Sequence, residues 1–194
     1  VGGAVGVCSS GNITNVDTNS VTIINDTEGS TTAGIIAATA NPSTEIQNCN
    51  LTSSSITNAG NKYTVDSTTG VKIYQGGTAG ILGVGTGLIS ECTVKNSNIV
   101  SKEETSYGTG GIVGHGNNIK NQATAIDNCK VINTCIEGKT AVGGIAGAAV
   151  ANITDCLVQG NKDEENSALI IGEDKVGGIL GFAGQLTTEP NLVR

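Results

Sequence analysis

The sequence predicts an all-β fold, a parallel β-solenoid (β-helix) of about five to six coils, each 31–34 residues long with three short strands. Three observations carry that reading. A short glycine motif recurs along the whole chain, a second motif follows it at a nearly constant distance, and the composition lacks the side chains of an ordinary core. Coils of this kind cannot bury an apolar face alone, so the core has to come from stacking each coil on its neighbours.

The glycine motif is clearest in Thr140–Gly147, which reads Thr-Ala-Val-Gly-Gly-Ile-Ala-Gly. Its core recurs as Gly3-Ala4-Val5-Gly6, Gly34-Ile35-Ile36-Ala37, Gly80-Ile81-Leu82-Gly83, Gly111-Ile112-Val113-Gly114, Gly144-Ile145-Ala146-Gly147 and Gly178-Ile179-Leu180-Gly181. The first residues of these copies are 31, 46, 31, 33 and 34 positions apart. One copy of a glycine loop between a strand and a helix would suggest a phosphate cradle; six copies without helical periodicity argue against one. Both middle positions are apolar, so neither parity reads as an ordinary wet face. The motif is therefore expected to be a core strand whose outer side is covered by a loop, the C-terminal tail or another subunit. That makes Gly80, Gly83, Gly111, Gly114, Gly144, Gly147, Gly178 and Gly181 a candidate contact face.

The second motif reads Ile-x-polar-Cys-x-Val. Its copies begin at Ile13, Ile46, Ile89, Ile126 and Ile153, and the cysteine position holds Val16, Cys49, Cys92, Cys129 and Cys156. Residues two apart on a strand share a face, so Cys and the following Val, Leu or Thr point the same way. The isoleucine three before the cysteine reaches that face only if a corner lies between them. Seven residues after the cysteine position an apolar residue returns at Ile23, Ile56, Ile99 and Ile136, delayed to about Leu169–Ile171 in the fifth copy. Ile46, Ile89, Ile126 and Ile153 together with Cys49, Cys92, Cys129 and Cys156 are the expected core ladder.

Substitution of Val16 for Cys says that this position wants a small buried apolar group, so the ladder is expected to hold buried free thiols. Side chains in a parallel ladder point the same way, which suits disulfide geometry poorly, and a linear ladder offers no converging tetrahedron for zinc. Cys8 and Cys135 fall outside the ladder and their state stays open.

The 46-residue interval contains one period and about 15 further residues, placed in an insert at about 58–75 that resembles a small hairpin or extended loop. The polar runs 161–166 and 102–107 are further surface decorations. The rest reads as one domain over residues 1–194 with a short tail, 185–194. Neither end looks like a polar capping coil, so end-to-end self-association, or neighbouring repeats of a longer chain, is expected. A chain beginning at Val1 and lacking Met is expected to be a processed product or a segment.

Chemistry-bearing constellations are weak. The net charge is −7 and the only arginine is Arg194, so the composition disfavours nucleic-acid binding. No apolar run is long enough for a membrane-spanning helix. His115, the only histidine, is expected in a loop; with it alone there is no zinc-helix motif. Glu103–Glu104, Asp163–Glu164–Glu165 and Glu173–Asp174 lack the spacing of a calcium loop or a glycosidase pair and read as solvated turn charges. Thr does not recur at one repeat position, since Thr18 aligns with Leu51 and Val94, which disfavours an ice-binding array. Candidate glycosylation positions are Asn12, Asn25, Asn50 and Asn152, each in an Asn-x-Thr sequon, with Asn25 expected to be the most accessible, in a turn. No cofactor, metal or catalytic residue is expected.

The pattern in Val142–Gly147, Val176–Gly181 and Gly110–Gly114, followed by Asn48-Cys49-Asn50-Leu51 or Asn128-Cys129-Lys130-Val131, resembles the GLUG-motif repeats. These occur in bacterial surface and adhesin-like proteins and in stalk regions of IgA-specific metallopeptidases. The resemblance covers most of the chain except the insert and the tail. It implies an extracellular or cell-surface β-solenoid. The uncapped repeats and the absence of a site lead to the expectation of a structural or adhesive, non-enzymatic solenoid that assembles end to end into a surface filament, with a host or cell-surface ligand left unspecified. The alternative expectation is a stalk or binding module of a larger secreted enzyme or adhesin. The repeat has no catalytic residues to transfer.

Overall fold

The computed structural model describes residues 1–26, 32–40, 43–60, 63–65, 67, 72–74, 76–102, 108–116, 123–161 and 168–184. These residues form a parallel β-solenoid with five parallel sheets running along its length and one short antiparallel hairpin.

Each full coil crosses the five sheets in turn. The lead-in sheet holds Ala33–Gly34, Thr78–Ala79, Thr109–Gly110, Thr140–Gly143 and Asp174–Gly177. The glycine sheet holds Val5–Cys8, Ala37–Ala40, Leu82–Gly85, Val113–Gly116, Ala146–Ala149 and Leu180–Ala183. The isoleucine sheet follows, with Gly11–Thr14, Thr44–Gln47, Leu88–Ser90, Thr124–Asp127 and Ala151–Thr154. The valine sheet holds Asp17–Asn19, Asn50–Thr52, Thr93–Lys95, Lys130–Ile132 and Leu157–Gln159. The return sheet closes the coil with Thr22–Asn25, Ser55–Asn58, Asn98–Ser101, Cys135–Glu137 and Ile170–Ile171. The coil therefore has five strand segments where three were expected. The glycine motif is split by a bend, and the isoleucine segment is a strand of its own.

Two corners explain the spacing. The residue before each cysteine position has left-handed backbone: Asn15, Asn48, Glu91, Asn128 and Asp155, with φ between 47° and 57°. Five residues later the same conformation recurs at Ser20, Ser53, Asn96 and Asn133. Single left-handed residues turn a strand sharply, and Asn and Asp are among the few side chains that accept them at low cost. The first corner brings the isoleucine and the cysteine position onto one interior, as the odd spacing requires.

The bend in the glycine motif does the same for its two apolar positions. Ile81 and Leu82 are both fully buried in one core, as are Ile112 with Val113 and Ile145 with Ala146. The strict alternation assumed for a straight strand does not hold there. Register also corrects the second copy by one residue. Leu82 pairs with Ala37, and Ala79 with Gly34, so Ile35-Ile36-Ala37-Ala38 is the equivalent of Gly80-Ile81-Leu82-Gly83.

The core is a set of in-register ladders. Ile46, Ile89 and Ile126 pair along the isoleucine sheet, and Leu51, Val94 and Val131 along the valine sheet. Ile56, Ile99 and Ile136 do so along the return sheet. All nine are at most 1% exposed. Thr18 sits in register with Leu51, so it faces inward and belongs to no outer threonine array.

The extra residues of the long interval lie between Asn58 on the return sheet and Thr78 on the lead-in sheet. There Tyr63–Val65 pairs antiparallel with Lys72–Tyr74, Tyr63 opposite Tyr74. The runs 103–107 and 162–167 and the tail 185–194, including Glu103, Glu104, Asp163, Glu164, Glu165 and Arg194, lie outside the described residues.

Candidate functional site: the thiol and hydroxyl corners

The chemically distinctive groups concentrate at the two left-handed corners. At the first, Cys49, Cys92 and Cys129 are fully buried and Cys156 is half-buried. All four are free thiols. Each donates to the carbonyl of the isoleucine one coil back: Cys49 to Ile13 at 3.6 Å, Cys92 to Ile46 at 3.8 Å, Cys129 to Ile89 at 3.8 Å and Cys156 to Ile126 at 3.7 Å. Three also lie against the carbonyl two residues before them, Cys49–Gln47 at 3.4 Å, Cys92–Ser90 at 3.2 Å and Cys129–Asp127 at 3.3 Å. The S–H group thus adds a side-chain donor to carbonyls at the corner, some of which also accept backbone N–H groups from the preceding coil.

Neighbouring thiols feel one another. Hydrogen bonding with the Cys129 side chain, aided by burial, pushes Cys92 up to about 12, and Cys92 with burial raises Cys49 further. Burial raises Cys156 as well. Cys49, Cys92 and Cys156 are therefore protonated at neutral pH, not thiolate nucleophiles. The folded thiol stays protonated where an unfolded one ionises, so its contribution is full below the ordinary thiol pKa and is lost as pH rises toward 12. Cys92→Val is expected to keep the fold and to flatten the fall in Tm between about pH 9 and 12; an unchanged alkaline profile would sink that assignment.

The second corner is built on the same plan with oxygen. Ser54 donates to Thr52 O at 2.8 Å, Ser97 to Lys95 O at 2.8 Å and Thr134 to Ile132 O at 3.0 Å. Ser54 Oγ also accepts from Val21 N at 3.1 Å and Ser97 Oγ from Ser54 N at 3.2 Å, linking coil to coil. Sequence reasoning missed this ladder. Its signal is a small hydroxyl residue five after the cysteine position (Ser54, Ser97, Thr134), preceded by Ser or Asn.

A third buried polar ladder closes the return sheet. Asn25 is 1% exposed and donates to Asn58 Oδ1 at 2.8 Å; Asn58, fully buried, donates to Thr78 Oγ1 at 2.7 Å. Asn25 is therefore not an accessible turn residue but the end of a strand with its amide inside, because that amide bonds across coils. Of the other sequon residues, Asn12 and Asn152 are exposed on the isoleucine sheet, whereas Asn50 is partly buried and donates to Asp17 at 2.8 Å.

The glycine motif is not an open face. Gly80, Gly83, Gly111, Gly114, Gly144 and Gly147 are buried, which removes them as a contact surface; Gly181 is partly buried and Gly178 exposed. What lies over the motif is the same chain. A Cβ on Gly114 would stand 2.4 Å from Thr78 N and 2.7 Å from Gly77 C, so the lead-in segment lies directly across the glycine strand. Among the described residues, the lead-in segment of the same chain lies over these glycines.

His115 lies in a strand, Val113–Gly116, and not in a loop, paired in register with Val84 and Ala148. Burial lowers its pKa to about 4. The folded state thus prefers neutral imidazole, while an unfolded chain protonates near 6.5. This stability is present above pH 6.5 and is lost as pH falls toward 4. His115→Val, which copies Val84, is expected to reduce the slope of Tm against pH in that window. An identical slope would show that the carboxylates alone set it.

Cys135 is half-buried on the return sheet, its thiol raised by burial and then by Glu137, and Cys8 accepts from Thr44 Oγ1 at 3.7 Å. Glu173 and Asp174 are exposed, and Asp174 pairs with Lys175. Among the described residues, no three His, Cys, Asp or Glu side chains are grouped to share a metal ion, and no helix is long and apolar enough to cross a membrane. No family model, no curated protein and no solved structure matches this chain.

Proposed function

We propose that this chain is a non-enzymatic structural or adhesive β-solenoid of the cell surface or extracellular space. The observation that carries the reading is the use made of its polar interior. Thiols and hydroxyls at the corners and amides on the return sheet are spent on backbone carbonyls or on one another from coil to coil. A chain that commits its reactive groups to its own stacking builds a rod and offers that rod's outer surface to partners. The GLUG-like pattern supports the extracellular setting. Coil-on-coil pairing is the contact that neighbouring repeats, or a second copy, would extend, which is the filament form of this proposal.

Two measurements test it. Antibody labelling of intact cells of the source organism should stain the surface, and staining only after permeabilisation would overturn the extracellular setting. Electron microscopy of the purified chain over a concentration series should show rods lengthening by whole molecules; monodisperse short particles throughout would remove the filament form. The second reading is a stalk or binding module of a larger secreted enzyme or adhesin. The hairpin favours it, since Tyr63–Val65 with Lys72–Tyr74 stands outside the coil pattern. A catalytic domain in the same gene product would decide for it.

A further inference from the structure

The thiol ladder has a geometry that its structural role does not exhaust. Cys49, Cys92, Cys129 and Cys156 donate to equivalent isoleucine carbonyls at 3.6–3.8 Å, so their side chains share one orientation. Adjacent sulfurs are therefore separated by the rise between coils, about 4.8 Å. A metal–thiolate bond is about 2.3 Å long, so a cation bound linearly between two thiolates holds its sulfurs about 4.6 Å apart. The ladder fails the tetrahedral requirement of zinc but matches the span of a linear dithiolate. Charge narrows the choice of ion. Two thiolates with a divalent cation are neutral and tolerable in an apolar interior, whereas a monovalent soft cation would leave a net negative charge there.

We propose that adjacent rungs of this ladder, with Cys129 and Cys156 as the pair first reached, form a linear two-coordinate site for a soft divalent cation of the mercuric type. Cys156 is half-buried and Cys129 fully buried, so the ion arrives at one and is enclosed by the other. Two S–H bonds break, two S–metal bonds form, and two protons leave to solvent. No electron is transferred.

The test uses the reduced full chain carrying Cys8→Ser and Cys135→Ser, so that only ladder thiols remain, titrated with mercuric chloride. The expected result is one tight equivalent, two protons released per ion, a thiolate-to-metal absorption band, a raised Tm and an unchanged β-sheet circular dichroism. Zinc chloride should produce none of these. Adding Cys92→Val together with Cys129→Val leaves no two adjacent rungs with thiols and should reduce affinity about a hundredfold by removing every chelating pair, with one proton released per ion. Val16 already occupies this rung in the first coil, so the variant is compatible with the fold. Uptake unaffected by the combined Cys92→Val and Cys129→Val, one proton per ion with the pairs intact, or loss of the sheet signal on binding would each overturn the proposal.

Discussion

Gly147→Ala is expected to destabilise the solenoid by about 3 kcal/mol or more, while Gly6→Ala is expected to be neutral within about 0.5 kcal/mol. Both residues occupy the same register position, as the pairing of Val5 with Ala37 and of Val113 with Ala146 shows through the stack. Their surroundings differ. A Cβ at Gly147 would stand 2.3 Å from Thr109 N, 2.6 Å from Gly108 C and 2.7 Å from Ala141 O, all backbone atoms that cannot rotate away. A Cβ at Gly6 meets nothing within 4 Å. Relief at Gly147 would require the lead-in strands to lift off the glycine sheet, breaking pairing in the coils on both sides. Denaturant unfolding of the two variants makes the comparison. Equal stabilities would show that the glycine serves backbone conformation and not close approach.

Asn58→Ala is expected to cost about 2–4 kcal/mol, because it strips partners from several groups at once. The Asn25 amide and Gly60 N lose the oxygen they donate to, and Thr78 Oγ1 loses a donor, at a place where Asn25 and Thr78 are at most 1% exposed. Asn12→Ala, which removes an exposed bond of 3.3 Å to Glu45, is the control and should stay within about 0.5 kcal/mol. If the two variants unfold alike, the buried amide ladder contributes nothing beyond its surface counterpart.

These two variants mark where sequence and structure part. The repeat, the parallel stacking and the inward set of Ile, Cys and Val were legible because register makes each coil repeat the same inside and outside choices. Even the corner before the cysteine was legible, since a spacing of three cannot otherwise bring Ile46 and Cys49 to one core. The five-segment coil was not, because a bend of one or two residues within Gly80–Leu82 leaves no compositional mark. It shows only as two consecutive apolar residues, which a straight strand reads as two faces.

Burial of polar residues was equally hidden. Asn25 and Asn12 stand in similar sequons, but one amide lies inside the return sheet and the other on the outer side of the isoleucine sheet. Likewise Ser54, Ser97 and Thr134 look like turn residues until their carbonyl partners are known. His115 differs from a loop histidine only by the strand that holds it.

The amino-acid order alone therefore determined the architecture, because hydrophobic periodicity and repeat length act locally and recur in every coil. Tertiary structure alone decided which glycines are crossed by another strand, which polar groups are enclosed and how far apart the thiols stand. Most of those properties depend on atoms of a neighbouring coil that stacking brings within one coil's rise, and no single repeat contains that information.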